Sequence, residues 1–295
     1  MTAGHISGVP PITFDNLRRL RNEGGDSYRS MNETVQKAMN VYAPSETNYV
    51  PLEDIIRNDN QFRILSTIQH LNRKPYSENE VFVGGFEPPE ASITSEKMYD
   101  PPDIDRQSRT IYAYFGSGSI SHRLVRKILP AVFDEVNFLC ATPYDCYVSS
   151  HFVEKPYTEG FVHFAPYFDA RQIIPHATYV FSHGGINSVM QALGHGVPLI
   201  MVPGAVHERR HNAHEVTAVY SGIEVDIEDF TVPQISSLLL DQTQEEELRR
   251  NAQHTQQLII EAGGMHKAFA EMEQRWLRPY DKSKLQEIQR RLLSA

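Results

Sequence analysis

Hydrophobic and polar positions change their pattern near residue 108. From Arg109 onward, short apolar runs alternate with amphipathic ones. TIYAYFGSGS is expected to be a strand entering a Ser/Gly loop. HRLVRKILPAVFDE has the spacing of an amphipathic helix, and NFLCAT reads as a buried strand. FVHFAPY follows as a short strand and loop, ARQIIPHA as a short helical turn, and TYVFSHGG as a strand running into a glycine turn. INSVMQALGHG reads as a helix, with Ile186, Val189, Met190 and Leu193 on one face. PLIMVP is a strand, ERRHNAHEVTAVYSG a helix closed by Gly222, and IEVDI a strand. VPQISSLLLD and EEELRRNAQHTQQLIIEAGG are two more helices. Alternating strands and helices with short connections predict an α/β chain built on a parallel sheet with helices on both faces. Such sheets bind ligands beyond the carboxyl ends of their strands. Two Gly/Ser loops, Gly116–Ser119 and His183–Ser188, fall at strand ends.

Residues 1–87 are mixed, with polar helix-compatible stretches such as DNLRRLRNE and the apolar runs FRILSTI and VFVGGF. Between Pro88 and Ser108 lies PPEASITSEKMYDPPDIDRQS, whose two Pro-Pro pairs and scattered charge give it little reason to pack. The expected organisation is therefore residues 1–87, a linker at 88–107, and a domain at 108–295. The last stretch, MHKAFAEMEQRWLRPYDKSKLQEIQRRLLSA, reads as one or two amphipathic helices, with Trp276 and Leu277 expected to pack in the core.

Composition narrows the partners. The chain has 295 residues and a formal net charge of −9, which disfavours a broad basic surface for nucleic acid. No apolar run approaches the roughly 20 residues that span a bilayer. The start, MTAGHISGVPPITF, lacks the basic and apolar segments of a signal peptide. Cys140 and Cys146 make neither a disulfide framework nor a usual zinc spacing. A reducing, cytoplasmic setting is the expectation.

The chemistry concentrates at His183-Gly184-Gly185. A strand that turns abruptly into a helix needs backbone angles that glycine accepts. The first helical amides then lack intrahelical partners, and the helix dipole adds positive charge. That arrangement favours phosphate. Asn187 and Ser188 can add side-chain donors or cap the helix, and the His183 imidazole can donate to a phosphate oxygen.

At this point several short motifs occur in order at compatible distances. Phe164-Ala165-Pro166-Tyr167 stands where a W-A-P-Q segment is known. His183-Gly184-Gly185-Ile186-Asn187-Ser188 matches H-G-G-x-N-S, Gln191 follows at the position of an acid or amide, and Gly196-Val197-Pro198 and Pro203 keep the spacing. FGSGS resembles an F-G-S loop at the start of the same domain. Over residues 108–270 the chain resembles the family 1 glycosyltransferases. These UDP-glycosyltransferase-like enzymes have two Rossmann-like domains (the GT-B architecture). The resemblance implies transfer of a hexose from a UDP- or dTDP-sugar to a hydroxyl of a small-molecule or lipid acceptor. Transfer would invert the sugar and use no metal or other cofactor.

It also implies roles. The base would pack on or beside Phe164, with the Ala165 backbone reading its edge and Tyr167 lining the same wall. Gln191 would bind ribose hydroxyls, and His183 with the amides of Gly184 and Gly185 and the side chains of Asn187 and Ser188 would hold the diphosphate. Gly116, Ser117 and Ser119 would border phosphate or acceptor. Where plant members carry Asp-Gln for the sugar hydroxyls, PGAVHERRHNA places Glu208 and Arg209 when counted back from Asn212 and His207 and Glu208 when counted forward from Pro203, so Glu208 survives either count as the acceptor and the Gln is lost.

The usual catalytic base, a histidine after the first strand of the N-terminal domain, has no counterpart here. His5 follows no strand, and an unanchored terminus cannot hold a base in place. SGVPPITF, MNETVQKAM, RILSTIQHL and NEVFVGGFEPP loosely resemble the closing part of such a domain, so residues 1–87 are expected to be its remnant. The chain would then be either a truncated product or one half of a split enzyme whose partner, a separate acceptor-domain chain, brings the acceptor site. The alternative is a non-catalytic nucleotide-sugar-binding subunit. A metal-dependent transferase using Asp103 and Asp105 is disfavoured because no strand flanks that pair. An epimerase would need an acid/base pair that cannot be named. A serine hydrolase is disfavoured because no G-x-S-x-G elbow occurs.

Overall fold

The computed structural model describes residues 12–15 (backbone), 62–72, 78–85, 98–102, 104, 108–116, 120–272 and 274. Expectations for His5, Asp103, Asp105, Ser117, Ser119, Trp276 and Leu277 lie outside these residues.

Three short parallel strands come first: β1 (Ile12–Asp15), β2 (Phe62–Leu65) and β3 (Glu80–Phe82), in that spatial order. The larger sheet contains β4 (Arg109–Tyr114), β5 (Tyr144–Ser149), β6 (Tyr157–Glu159), β7 (Val162–Ala165), β8 (Ala177–Ser182), β9 (Leu199–Met201) and β10 (Gly222–Glu224). Its order is β10-β9-β8-β4-β5-β7-β6, and only the edge pair β6–β7 is antiparallel. The connecting helices are α1 (His122–Leu139), α2 (Ala170–Ile173), α3 (Ile186–Gly194), α4 (His207–Ala218), α5 (Val232–Leu240) and α6 (Gln242–Glu261). A further helix, α7 (Gly264–Met272), returns to the small sheet, where the Gly264 amide donates to the Val83 carbonyl at 2.6 Å.

Period-two alternation divides the core between the two sheet faces. Ile111, Ala113, Cys146, Val148, Phe164 and Phe181 pack under α1 and α5 with Val132, Phe133, Ile235 and Leu239. Tyr112, Tyr147, Val180, Leu199 and Met201 pack with Val189, Leu193, Val216 and Ala252 of α3, α4 and α6. Central β8 is buried at every position, as expected for a parallel strand covered on both sides.

Three expectations are corrected. NFLCAT is no strand: α1 runs on to Leu139, because Val132, Phe133 and Val136 continue its buried stripe, while Phe138 is 88% exposed. The strand there begins at Tyr144. Gly222 does not close α4 but begins β10; the chain turns instead at Tyr220, which takes a φ of +53°. The Pro-rich stretch does pack at Tyr99, whose amide donates to the Tyr167 carbonyl at 2.8 Å and whose carbonyl accepts from the Asp169 amide.

Candidate functional site

The chain's direction across the large sheet reverses at β4. From β4 it proceeds outward through β5 and β7, then returns to place β8 on the other side. The crevice between the β4 and β8 carboxyl ends is therefore a topological switch point, where open parallel sheets bind ligands. Register sets Tyr114, Ser149, Ala165, Ser182 and Met201 level along this edge.

Gly116 and the His183-Gly184-Gly185 turn meet there. Gly116, just past β4, has φ +61°, and a Cβ on it would lie 3.0 Å from Cε1 of His183. A Cβ on Gly185 would lie 2.6 Å from Nε2 of the same ring. The imidazole thus occupies the space that both absent side chains leave. Its Nδ1 faces the Tyr114 carbonyl at 3.4 Å, and the Tyr114 ring meets it edge-on at 5.8 Å. Burial lowers the His183 pKa, the Arg209 charge lowers it further, and the Tyr114 carbonyl opposes both. A neutral ring that donates from Nδ1 presents a lone pair at Nε2.

Gly184 carries φ +78°, and a Cβ there would stand 2.7 Å from the Arg209 carbonyl. Its amide donates to the Ser182 hydroxyl at 3.1 Å, so this amide is not offered to a ligand. Gly185 is the N-cap of α3 and brings no side-chain cap. The amides of Ile186, Asn187 and Ser188 are consequently first-turn donors without intrahelical acceptors. Asn187 is exposed; Ser188 and Gln191 are half-buried one turn apart on the same helix. Glu208 and Arg209 occupy the first turn of α4, both half-buried.

The FAPY segment divides. Phe164 has no exposed surface, stacks on Tyr157 at 4.9 Å and meets His122 edge-on at 6.0 Å. It is a core side chain, so the expected packing of a base against it is corrected. Its position on β7 turns it under α1, away from the α3 side. Ala165 is also buried, and its carbonyl already accepts from the Ser150 amide at 3.0 Å. Tyr167 is 41% exposed and packs edge-on against Tyr114 at 6.2 Å. Burial raises its pKa, and nearby Tyr114 and Asp169 add to this, so its phenol stays a donor at neutral pH. Replacing Phe164 with alanine should cost about 3–5 kcal/mol of stability. Phe164→Leu, in contrast, should leave UDP affinity within about twofold in a calorimetric titration. A base stacked on the ring would lose about 1–3 kcal/mol.

Three participants escaped the sequence reading. Tyr114 links Tyr167 to His183 in one row of rings. Ser182, fully buried, takes the Gly184 amide, and Asn212 donates from Nδ2 to the Gly184 carbonyl at 2.9 Å. No spacing rule marks them; a polar residue on the last position of an otherwise apolar strand was the one available signal, for Ser182.

Comparison with known proteins follows the same region. Residues 125–272, half of the chain, match the family model of the glycosyltransferase family 28 C-terminal domain. The chain is 32% identical over 102 residues to the NDP-glycosyltransferase YjiC of Bacillus subtilis (strain 168), covering 35% of this chain and 26% of that protein. It is 25% identical over 166 residues to the putative UDP-glucuronosyltransferase ugt-50 of Caenorhabditis elegans, covering 53% and 31%. These matches span between a quarter and a third of the curated relatives' length. Among solved structures, the calicheamicin glycosyltransferase CalG4 superposes with a TM-score of 0.69 at 16% identity, over 94% of this chain and 72% of that one. The glycosyltransferase VinC in complex with DTDP gives 0.60 at 13% identity, over 92% and 68%. Among the described residues no helix is long and apolar enough to cross a membrane.

Proposed function

The chain belongs to the family 28 glycosyltransferases, and from that membership we propose that it binds a UDP- or dTDP-sugar at the β4/β8 crevice for transfer of the hexose to a hydroxyl acceptor. One observation carries this reading: an uncapped helix N-terminus, Gly116, the Gly184-Gly185 turn and His183 converge at the sheet's switch point. VinC, a structural neighbour, was solved with DTDP.

In this reading the diphosphate lies against the amides of Gly185, Ile186, Asn187 and Ser188, with Arg209 adding full positive charge. Gln191, one turn along α3, reaches the ribose. Tyr167 is the exposed aromatic wall for the base, and Glu208 accepts from sugar hydroxyls. During transfer the acceptor oxygen forms a bond to the anomeric carbon as the bond from that carbon to the phosphate oxygen breaks. The electron pair leaves with the diphosphate, and the configuration inverts. Amides and Arg209 stabilise that leaving charge without a metal ion. The acceptor proton goes to a base that none of the named donor-side residues supplies. A separate acceptor-domain chain is the proposed source, and a nucleotide-sugar-binding subunit is the alternative if no partner restores turnover.

Titration with UDP, dTDP and the corresponding nucleosides tests the binding claim. A bound nucleotide at a hundredfold excess over Kd should raise apparent stability by about 2.7 kcal/mol. Arg209→Ala should weaken UDP by roughly ten- to hundredfold, the loss of a charge-assisted contact worth about 1.5–3 kcal/mol, and leave uridine unchanged. Equal losses for both would remove Arg209 from the diphosphate.

A further inference from the structure

We propose that Asn212, which touches no ligand, is the positioning residue that aims the Gly185 amide at the diphosphate; this role rests on the nucleotide-binding reading above. The Gly184–Gly185 peptide is trans, so its carbonyl and its N–H point in opposite directions. The Asn212 Nδ2 holds that carbonyl at 2.9 Å, on the α4 side of the loop. The Gly185 N–H is therefore turned away from α4, and it has no acceptor among the described residues.

The preceding peptide is fixed independently, because the Gly184 amide donates to Ser182 Oγ at 3.1 Å. Gly184 sits between these two anchors with φ +78°. As glycine it resists neither rotation of its own backbone nor a flip of the following peptide. Something outside the loop must choose the orientation, and the Asn212 amide is that element. Asn212 is 7% exposed on α4, next to Ala213 and Val216 in the core, so its donor is held by packing. It also lines a small pocket with Thr67, Leu71 and Asn72 from the segment after β2.

Releasing the carbonyl lets the peptide rotate and exchanges a donor for an acceptor at the anion. The loss must then depend on phosphate. Asn212→Leu keeps the volume and removes the donor without adding charge; Asn212→Ala serves should leucine prevent folding. Calorimetry on the full chain should give a UDP affinity lowered at least tenfold, with uridine affinity unchanged. The Gly185 amide resonance should shift strongly when UDP is added to the wild type and little in the variant. A folded variant that binds UDP as tightly as the wild type overturns the role. So does a parallel loss of uridine and UDP, which marks a merely structural residue. A wild-type chain that binds no UDP overturns the nucleotide reading itself.

Discussion

Gly184→Ala is expected to lower UDP affinity by on the order of a hundredfold, matching the loss of a preorganised donor set at a charged centre. Two costs coincide at this residue. An L side chain at φ +78° is strained by about 1–2 kcal/mol. The new Cβ would also stand 2.7 Å from the Arg209 carbonyl, a backbone atom that cannot swing aside. If the loop retreats, the first amides of α3 move away from the anion; if α4 retreats, Arg209 goes with it. Strain alone should lower the melting temperature by about 2–8 °C. Gly194→Ala is the matched control. It lies at the other end of α3 with open space around it, so alanine there should leave UDP binding unchanged. A Gly184→Ala protein that binds UDP normally would show that this turn does not hold the diphosphate.

His183→Ala should reduce transfer about a hundredfold once acceptor and partner are supplied, and should remove a pH dependence present in the wild type. The sign follows from the ring's surroundings. Burial and Arg209 keep the free imidazole neutral, with its Nδ1 turned to the Tyr114 carbonyl. Only the protonated ring can also donate from Nε2. A diphosphate favours that charged form, so binding takes up a proton. Affinity for a UDP-hexose should rise several-fold as the pH falls from 8 to 6, and the variant's affinity should stay flat. The unliganded protein responds oppositely. Its lowered pKa means the unfolded chain binds the proton first, so this contribution to stability is complete above about pH 6.5 and is lost as the pH falls below it. Calorimetry in buffers of different ionisation enthalpy measures the proton uptake directly. No uptake in the wild type would assign His183 to holding the loop rather than the ligand.

These residues also show why some features were legible beforehand and others were not. Strands β4 and β8 were readable because buried parallel strands are almost wholly apolar, and each ran into glycine. The His-Gly-Gly turn was readable because a strand-to-helix junction without side chains has few other uses. NFLCAT failed because Phe138 and Leu139 are apolar yet exposed, and an exposed apolar residue leaves no trace in the pattern. Phe164 failed for a different reason. Its position in a motif was clear, but which sheet face it took depended on register in β7, and it faces α1 rather than α3. The Gly184 amide reads as a ligand donor from sequence because nothing in the sequence shows that Ser182 already accepts from it. Asn212 lies 28 residues beyond the carbonyl it holds; such a tertiary contact has no local signature.

The most direct measurement is a crystal structure of the chain with UDP or dTDP. The diphosphate is expected against the Gly185, Ile186, Asn187 and Ser188 amides, with the His183 ring and Arg209 guanidinium beside it, and the base against Tyr167. Density for the nucleotide at any other edge of the sheet, with the start of α3 left empty, would contradict the site assignment.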